Sequence, residues 1–513
     1  MPLVSAVPRS RTSLVTALAR AAAAAVGGVL LACAFPPVGV AALMWPGLVL
    51  LVVALLGARV RDAAWIGWIF GSAFLLVLLR WVLVFDVPGA YVALALVEGA
   101  FYAGFGAVFA VLSRSRWWPL LGACAWMATE MLRSLVPFGG FVWGRLAFAA
   151  VDTPLASVAR WLGVAVLSGV VFGTAALAVW AFQRGAVGRR RRLATAAVVL
   201  AATFTIAAVL PVGLAGSGRS IQVAVVQGDV PGTGAQFLGE QREVLENHVR
   251  ETQAYASAVR TGESPQPDVV LWPENASDID PLTDATANAM ISAAAQDVDA
   301  PILVGAILDG PDDGTAYNAG IVWDPVSGPG EQYVKQHLVP WGEYVPLRSF
   351  SEWLVPRLAD EIPRDILPGE ESGELRIDGG VVGTMMCFDV VFDRLARSAV
   401  IGGAEMLVVQ TNNATFTGTA QPDQQWEVAR MRAIESGRYV AVPSTNGISG
   451  FIAPDGAVDQ VAPTQEPAWL AQEVRAATSV TTGTRFGVWL ELVALLVTVA
   501  AVVLLVRRPG HTR

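Results

Sequence analysis

The segment GGVVGTMMCFDVVFDRLARSAV, residues 379–400, has the pattern of an apolar β-strand followed by a cysteine and then by an amphipathic helix. This order predicts a strand-to-helix elbow with Cys387 at its tip. At such an elbow we expect the thiol to be exposed and its pKa to be lowered by the amides of the helix N-terminus. The segment therefore indicates an α/β domain with Cys387 as its candidate nucleophile.

Further strands and helices alternate on both sides of this elbow. Upstream, PDVVLWPENA (267–276) predicts a buried strand that ends just before Glu274, and GEQYVKQHLVP (330–340) predicts a strand that carries Lys335. Downstream, AEMLVVQTNNATF (404–416) and YVAVPSTNGISGFIAPDG (439–456) predict two more strands around a helix. The alternation predicts the α/β class, with helices covering the sheets.

The chain as a whole is too apolar for an ordinary soluble protein, with 54% hydrophobic and 15% charged residues and a mean hydropathy of +0.52. Apolar runs of roughly 20 residues, long enough to cross a bilayer, predict about eight spans. We therefore predict a transmembrane domain of about seven helices, one α/β domain, and a C-terminal membrane helix with a tail, at residues 1–218, 219–485 and 486–513. The spans are predicted at about 14–35, 38–57, 63–85, 88–112, 117–136, 154–182, 193–214 and 486–506.

Arginines cluster at alternate ends of these spans, as at Arg114 and Arg116. The positive-inside rule then predicts cytoplasmic termini and an extracytoplasmic α/β domain. The expected location of this multi-pass protein is the cell (inner, cytoplasmic) membrane. The net charge of −8 lies mostly in the α/β domain, so no nucleic-acid partner is expected. Within the fifth span, Glu130 and Arg133 are three residues apart and are predicted to pair with each other.

Two residues of the α/β domain are unique of their type. Lys335 is the single lysine of the chain, and Cys387 is the single cysteine of the domain, because Cys33 and Cys124 fall in predicted spans. An arginine can neither deprotonate nor act as a compact ammonium donor, so a lone lysine in an arginine-rich chain indicates chemistry. An unpaired thiol in an oxidising compartment likewise indicates a reactive group.

A thiol nucleophile needs a base and a group that stabilises an oxyanion. Glu274 and Lys335 can supply these roles for Cys387. A Cys–His scheme through His248 or His337 is the open alternative, although neither histidine lies in a local signature for it.

Taken together, these segments resemble the Glu–Lys–Cys nitrilase superfamily and, within it, the bacterial apolipoprotein N-acyltransferases. The resemblance covers essentially the whole chain. Phe388 and Asp389 depart from the Tyr-Glu pair that follows the cysteine in many members. The matching motifs are VAVVQGDVP, LWPENA, VKQHLVPWGEYVPLR, MCFD, TNNATF, RMRAIESGRYV and STNGISG.

The resemblance implies a membrane-embedded helical bundle that carries a nitrilase-like α-β-β-α sandwich. It implies transfer of a fatty acyl chain from a phospholipid, through a cysteine thioester, to the α-amino group of the S-diacylglyceryl cysteine of apolipoproteins, without cofactor or metal. Glu274 would be the general base, Lys335 the oxyanion donor and Cys387 the nucleophile, with Glu343 in support. The resemblance also suggests substrate contacts at Phe237, Trp341 and Phe388.

Two other functions remain open from the sequence. One is a membrane-bound amidohydrolase that uses the same three residues on water, and the other is a non-catalytic membrane anchor or partner module. The loop VPFGGFVWGRLAF (136–148), rich in glycine and aromatic residues, is predicted to lie at the membrane interface and to support the cleft. Its alternative is a plain connecting loop.

Overall fold

The computed structural model describes residues 11–183, 188–211, 218–230, 242–377 and 380–507. The helices of the N-terminal part are α1 (Arg11–Ala32), α2 (Met44–Leu55), α3 (Val60–Leu78), α4 (Pro88–Leu112), α5 (Trp118–Arg133), α6 (Ser157–Leu162), α7 (Val164–Phe182) and α8 (Arg189–Val209). The later helices are α9 (Glu243–Thr261), α10 (Ala285–Val298), α11 (Arg348–Leu354), α12 (Leu358–Glu361), α13 (Asp393–Ile401), α14 (Gln421–Ser436) and α15 (Thr482–Arg507).

Among the described residues, six helices are long and apolar enough to cross a membrane, namely α1 from Leu14 onward, α3, α4, α7, α8 and α15. The predicted count of about eight spans is not confirmed. At the second and fifth predicted spans, α2 and α5 have only 12 and 16 residues. Part of each apolar run is used in turns beside these helices, so a helix of 12 residues rises only about 18 Å against a bilayer core of about 30 Å.

The predicted pairing of Glu130 with Arg133 is wrong. Arg133 Nε lies 2.9 Å from Glu98 Oε2 on α4, while Glu130 Oε2 lies 3.3 Å from Arg145 Nε in the loop after α5. All four side chains are buried. A buried charge is tolerated only beside a counter-charge, and here the neighbouring elements supply closer partners than the same helix does.

Two β-sheets form the α/β domain. The first contains β1 (Ser220–Gln227), β2 (Val269–Leu271), β3 (Ile302–Asp309), β4 (Thr315–Asp324), β5 (Gly328–Val334), β6 (Asp365–Ile366) and β13 (Ala468–Arg475). Its order is β13-β1-β2-β3-β4-β5, with β6 paired to β4. The second, in the order β12-β11-β10-β9-β8-β7, contains β7 (Glu374–Ile377), β8 (Gly380–Met386), β9 (Met406–Gln410), β10 (Val440–Val442), β11 (Gly450–Ile452) and β12 (Val458–Val461).

The two sheets stack face to face between two layers of helices. Leu271 and Leu303 of the first sheet share a buried cluster with Val408 of the second, which forms the core between the sheets. Helices α9 and α10 cover the outer face of the first sheet, where Tyr255 and Ile291 join a second cluster. Helices α13 and α14 pack on the second sheet, so the predicted α-β-β-α sandwich is confirmed.

The helix layer on the second sheet also rests on the membrane bundle. One continuous hydrophobic cluster includes Phe172 of α7, Phe148 in the loop after α5, Leu395 of α13 and Met431 of α14. Arg145 adds an ionic joint, because it pairs with Asp393 at the start of α13. The helices next to the candidate nucleophile are thus fixed directly to the bundle.

Candidate active site

The three candidate catalytic residues each follow the end of a strand. Glu274 comes three residues after β2, Lys335 directly after β5, and Cys387 directly after β8. All three side chains are buried. Crevices beyond the carboxyl ends of strands are where α/β sheets place their sites, which accounts for the meeting of residues so distant in sequence.

Lys335 lies between two carboxylates. Its Nζ is 2.8 Å from Glu274 Oε1 and 2.9 Å from Glu343 Oε1, and the residue is only 1% exposed. The two neighbouring negative charges outweigh the cost of burial and raise the pKa of Lys335 well above its usual value. The lysine is therefore an ammonium ion at neutral pH.

Other donors fix both carboxylates in place. Asn318 Nδ2 donates to Glu274 Oε1 at 2.8 Å and to Glu343 Oε1 at 3.2 Å. The backbone amide of Asn412 donates to Glu274 Oε2 at 2.9 Å, and that of Val339 donates to Glu343 Oε2 at 2.8 Å. With every oxygen of the pair held by a donor, the carboxylates have little freedom to turn away from the lysine.

The cysteine sits on a strained turn. Its φ of 45° lies in the left-handed region, which costs a residue other than glycine roughly 1–3 kcal/mol. Asp389 stabilises the turn by accepting hydrogen bonds from the amide of Met386 at 3.1 Å, the hydroxyl of Tyr333 at 2.7 Å and the amide of His337 at 2.9 Å. These bonds connect the elbow to the chain on both sides of Lys335.

The expectation of an exposed thiol with a lowered pKa is wrong. Cys387 is only 8% exposed, and burial together with the charge of Glu274 raises its pKa to about 12, although Lys335 and a hydrogen bond with Thr411 act the other way. Residues Cys387–Val391 form a 3-10 turn and α13 begins only at Asp393. The thiol therefore does not sit at the N-terminus of an α-helix and gains little from its amides.

This electrostatic balance makes a testable prediction about Glu274→Gln. Removing the negative charge while Lys335 stays in place should lower the pKa of Cys387, so alkylation by iodoacetamide should reach half its maximal rate at a lower pH. Each unit of downward shift gives about ten times more thiolate at a fixed pH below the midpoint. The rate is measured against pH by mass spectrometry, with Cys33 and Cys124 replaced by serine.

Glu343→Gln serves as the matched control for this shift. The charge of Glu343 raises the pKa of Cys387 less than that of Glu274 does, so its removal should move the midpoint in the same direction by a smaller amount. An unchanged or raised midpoint in Glu274→Gln would contradict the charge arrangement described above.

The histidines find no support as partners of the thiol. His248 is fully buried in α9, where its Nδ1 lies 2.7 Å from the carbonyl oxygen of Val244. The ring of His337 stacks on Phe392 with a centroid distance of 3.8 Å, and burial and the charge of Arg394 lower its pKa to about 4. The charged groups that act on the thiol are instead those of the glutamate and lysine pair.

Of the aromatic residues predicted to contact substrate, Phe388 is buried and Trp341 is exposed. Phe388 stacks with Phe141 and Trp143 of the loop 136–148, at centroid distances of 5.9 and 6.3 Å. Trp341 is 47% exposed and meets Phe138 of the same loop edge to face at 5.6 Å. Phe237 lies outside the described residues. The loop thus contacts the residue next to the nucleophile and does more than connect two helices.

Sequence reasoning missed Asn318 and gave no role to Asp389. A signal for Asn318 was present, because it is a single amide side chain within the otherwise apolar strand TAYNAGIVWD of β4, and it is buried. A buried polar group in a strand needs a partner. Which partner it has depends on Glu274 and Glu343, which are close to it only in the folded chain.

This chain is similar to known proteins along most of its length. Residues 27–177 match the family described as apolipoprotein N-acyltransferase N-terminal domain, and residues 222–478 match the carbon-nitrogen hydrolase family. An apolipoprotein N-acyltransferase of Mycolicibacterium smegmatis is 38% identical over 94% of this chain and 85% of its own length. One of Methylococcus capsulatus is 29% identical over 85% of this chain and 86% of its own. Among solved structures, an amidase from Nesterenkonia sp. AN1 is similar with 17% identity and a TM-score of 0.36, over 53% of this chain and 98% of that one.

Proposed function

The chain belongs to the apolipoprotein N-acyltransferase family, and we propose that its Glu274, Lys335 and Cys387 transfer a fatty acyl chain by way of a cysteine thioester. The donor is a phospholipid, and the acceptor is the α-amino group of the S-diacylglyceryl cysteine at the N-terminus of an apolipoprotein. The observation that supports these roles most strongly is the buried ammonium of Lys335, 2.8 Å from Glu274 and within the electrostatic reach of the Cys387 thiol. Family membership does not favour an amidohydrolase or a non-catalytic anchor.

In the first half-reaction, Glu274 takes the proton of the Cys387 thiol as the sulfur attacks an ester carbonyl of the phospholipid. A carbon–sulfur bond forms, and the carbonyl oxygen becomes an oxyanion that the ammonium of Lys335 stabilises. The bond from carbon to the glycerol oxygen then breaks. Glu274 returns its proton to that oxygen, which releases a lysophospholipid and leaves the acyl chain as a thioester on Cys387.

In the second half-reaction, the α-amine of the apolipoprotein attacks the thioester carbon. Glu274 removes a proton from the attacking nitrogen, and Lys335 again stabilises the oxyanion. The carbon–sulfur bond breaks, the sulfur regains a proton from Glu274, and an amide is released. Because one product leaves before the second substrate reacts, the kinetics should be ping-pong.

The charges of the site explain why a general base is needed. Glu274, Glu343 and Lys335 together carry a net charge of −1, and a free thiolate would add a second negative charge in a buried pocket. The pKa of Cys387 is accordingly raised to about 12 by burial and by Glu274, so the thiol is protonated at rest. Proton transfer to Glu274 during attack avoids forming that thiolate as a separate species.

The decisive experiment is mass spectrometry of the purified full-length protein after incubation with phospholipid. We expect a mass increase equal to one acyl chain, located on the peptide that contains Cys387. Addition of a diacylglyceryl lipopeptide should remove that mass and give an N-acylated peptide. Absence of the acyl adduct, or its loss to water at the same rate without the lipopeptide, would rule out the proposed transfer.

Asn318 is expected to position the two carboxylates during both half-reactions. Asn318→Ala removes the amide that donates to Glu274 and Glu343, so we expect kcat to fall by about 10- to 100-fold with little change in KM for phospholipid. Acylation assays in detergent or vesicles, quenched at fixed times, measure kcat and KM. A matched control is Asn288→Ala, whose side-chain amide donates to the carbonyl of Pro281 at 3.1 Å. A purely structural role for Asn318 would lower the amount of folded protein while leaving kcat per folded molecule unchanged.

The protein is a membrane protein, and we further propose that it resides in the cytoplasmic membrane with the sandwich domain outside. Labelling with a membrane-impermeant maleimide in intact cells tests this in a chain whose native cysteines are serines. Val326→Cys, at a position 94% exposed in the β4–β5 turn, should be labelled in intact cells. Gly188→Cys, at an exposed position just before α8, should be labelled only after the cells are opened. The reverse pattern would overturn the orientation.

A further inference from the structure

A cavity opens beside the candidate active site, with a volume of about 470 Å³. Phe138, Gly139 and Gly140 of the loop 136–148 form one side of it, and Phe388 and Phe392 of the nucleophile elbow form another. His337 and Leu338, shortly after Lys335, complete the wall next to the site. The cavity is thus bounded both by the loop 136–148 and by the segments that hold the reacting groups.

The walls of this cavity are mainly aromatic and aliphatic, but one cation faces it. Arg394 lines the cavity, and among the described residues no carboxylate forms an ion pair with it. The other full charge on the wall, Asp365, is already bonded to Arg348 at 2.5 Å and to the amide of Val345 at 2.9 Å. The cavity therefore carries one uncompensated positive charge.

A second polar group of the wall also lacks a partner. Nδ1 of His337 is buried and makes no hydrogen bond within the described part of the chain, since the nearest carboxylate oxygen, Asp389 Oδ1, is 3.8 Å away. A buried polar atom without a partner indicates that a ligand or a water molecule supplies the missing hydrogen bond. Burial and the charge of Arg394 lower the pKa of this ring to about 4, so it is a neutral hydrogen-bonding group at physiological pH.

This inference rests on the proposed function, which has two substrates. The positive charge of the cavity favours one of them over the other. The phospholipid donor carries an anionic phosphodiester that is separated from its reacting ester only by the glycerol backbone. The acceptor presents a neutral diacylglyceryl group and a cationic ammonium. An unpaired arginine attracts the first and repels the second.

We propose that this cavity binds the phosphodiester head of the acyl donor, with Arg394 as its counter-charge and His337 as a neutral hydrogen-bonding partner. Phe138, which is 49% exposed, would then lie against the glycerol and upper acyl region at the membrane interface. The lysophospholipid leaves the same cavity after the first half-reaction. The acceptor enters afterwards and makes no use of the arginine.

The test compares two acyl donors in wild type and in Arg394→Gln. One donor is a phosphatidylglycerol or phosphatidylethanolamine vesicle, and the other is the p-nitrophenyl ester of the same fatty acid, which has no phosphate. We expect Arg394→Gln to lower kcat/KM for the phospholipid by roughly tenfold or more, mainly through KM, and to leave the p-nitrophenyl ester within about twofold. Arg394→Lys should restore part of the loss, because it keeps the positive charge.

Arg376→Gln is the matched control, since Arg376 lies on β7, is not among the residues that line the cavity, and has an exposed guanidinium beside Glu331. This variant should leave kcat/KM unchanged for both donors. Equal losses with both donors, or no loss with the phospholipid, would overturn the proposed binding site. Should neither donor acylate Cys387 in wild type, the proposed function fails instead. Binding of phospholipid to the cavity is then tested separately by native mass spectrometry, with Cys387→Ala and with Cys387→Ala combined with Arg394→Gln. Equal amounts of retained phospholipid in the two variants would contradict the proposed binding site.

Discussion

Replacement of Cys387 by serine should abolish both the acyl-enzyme and the transfer of the acyl chain, with a loss on the order of 10³-fold or more. A serine hydroxyl is far less acidic than a thiol, so Glu274 would remove its proton much less readily. The ester that a serine could form would also be a much poorer acyl donor to an amine than a thioester. Mass spectrometry after incubation with phospholipid, and N-acylation of a diacylglyceryl lipopeptide, measure the two effects.

Cys124→Ser is the control for this replacement. Cys124 is also a free thiol, but it lies on α5 within the membrane bundle. Its replacement should leave both measurements unchanged. Substantial transfer by Cys387→Ser would disprove covalent catalysis through this residue, and loss of transfer with normal acyl-enzyme formation would restrict its role to the second half-reaction.

Lys335→Arg should lower the rate of acyl-enzyme formation by about 10²- to 10³-fold even though it keeps the charge. The ammonium fits between Glu274 and Glu343 at 2.8 and 2.9 Å in a pocket where the side chain is almost completely buried. A planar guanidinium needs more room and would engage the carboxylates in a bidentate manner, so its donors would point away from the position of the oxyanion. Single-turnover acylation at saturating phospholipid measures this step.

The arginine variant is preferable to removal of the charge, because Lys335→Met would leave the buried carboxylate of Glu274 and the partly buried carboxylate of Glu343 without a counter-charge. Breaking such a pair costs roughly 3–5 kcal/mol, so a loss of activity could not be separated from a loss of folded protein. The exposed Arg376→Lys is a control for the same chemical exchange outside the site. Near-normal acylation by Lys335→Arg would show that the compact ammonium is unnecessary, and that the single lysine of the chain has no special role in the reaction.

The positions of the site residues were accessible from sequence because each depends on local pattern. The apolar run before Glu274 ends in a proline, the run before Lys335 ends beside turn residues, and the run before Cys387 passes straight into an amphipathic segment. Strand ends of this kind predict where side chains gather in an α/β domain. The alternation of strands and helices predicted the α/β class for the same reason, whereas the α-β-β-α sandwich followed from the family resemblance.

Properties that depend on neighbours from other elements were not accessible in this way. The thiol of Cys387 was expected to be exposed and to have a lowered pKa. In the folded chain it is buried, and burial and the negative charge of Glu274 raise its pKa instead. Glu130 was paired with Arg133 by helical spacing, whereas Arg145 is the partner that the loop after α5 brings to it. Pairwise distances across elements decide such questions, and a single sequence contains no measure of them.

The shared hydrophobic cluster between the bundle and helices α13 and α14 limits how this enzyme can be handled. A fragment cut at about residues 219 and 485 would keep both sheets and all three candidate catalytic side chains. It would nevertheless expose the apolar surface that now rests against α6, α7 and α15. Such a fragment should aggregate in plain buffer and would need a detergent or lipid nanodisc to stay monodisperse.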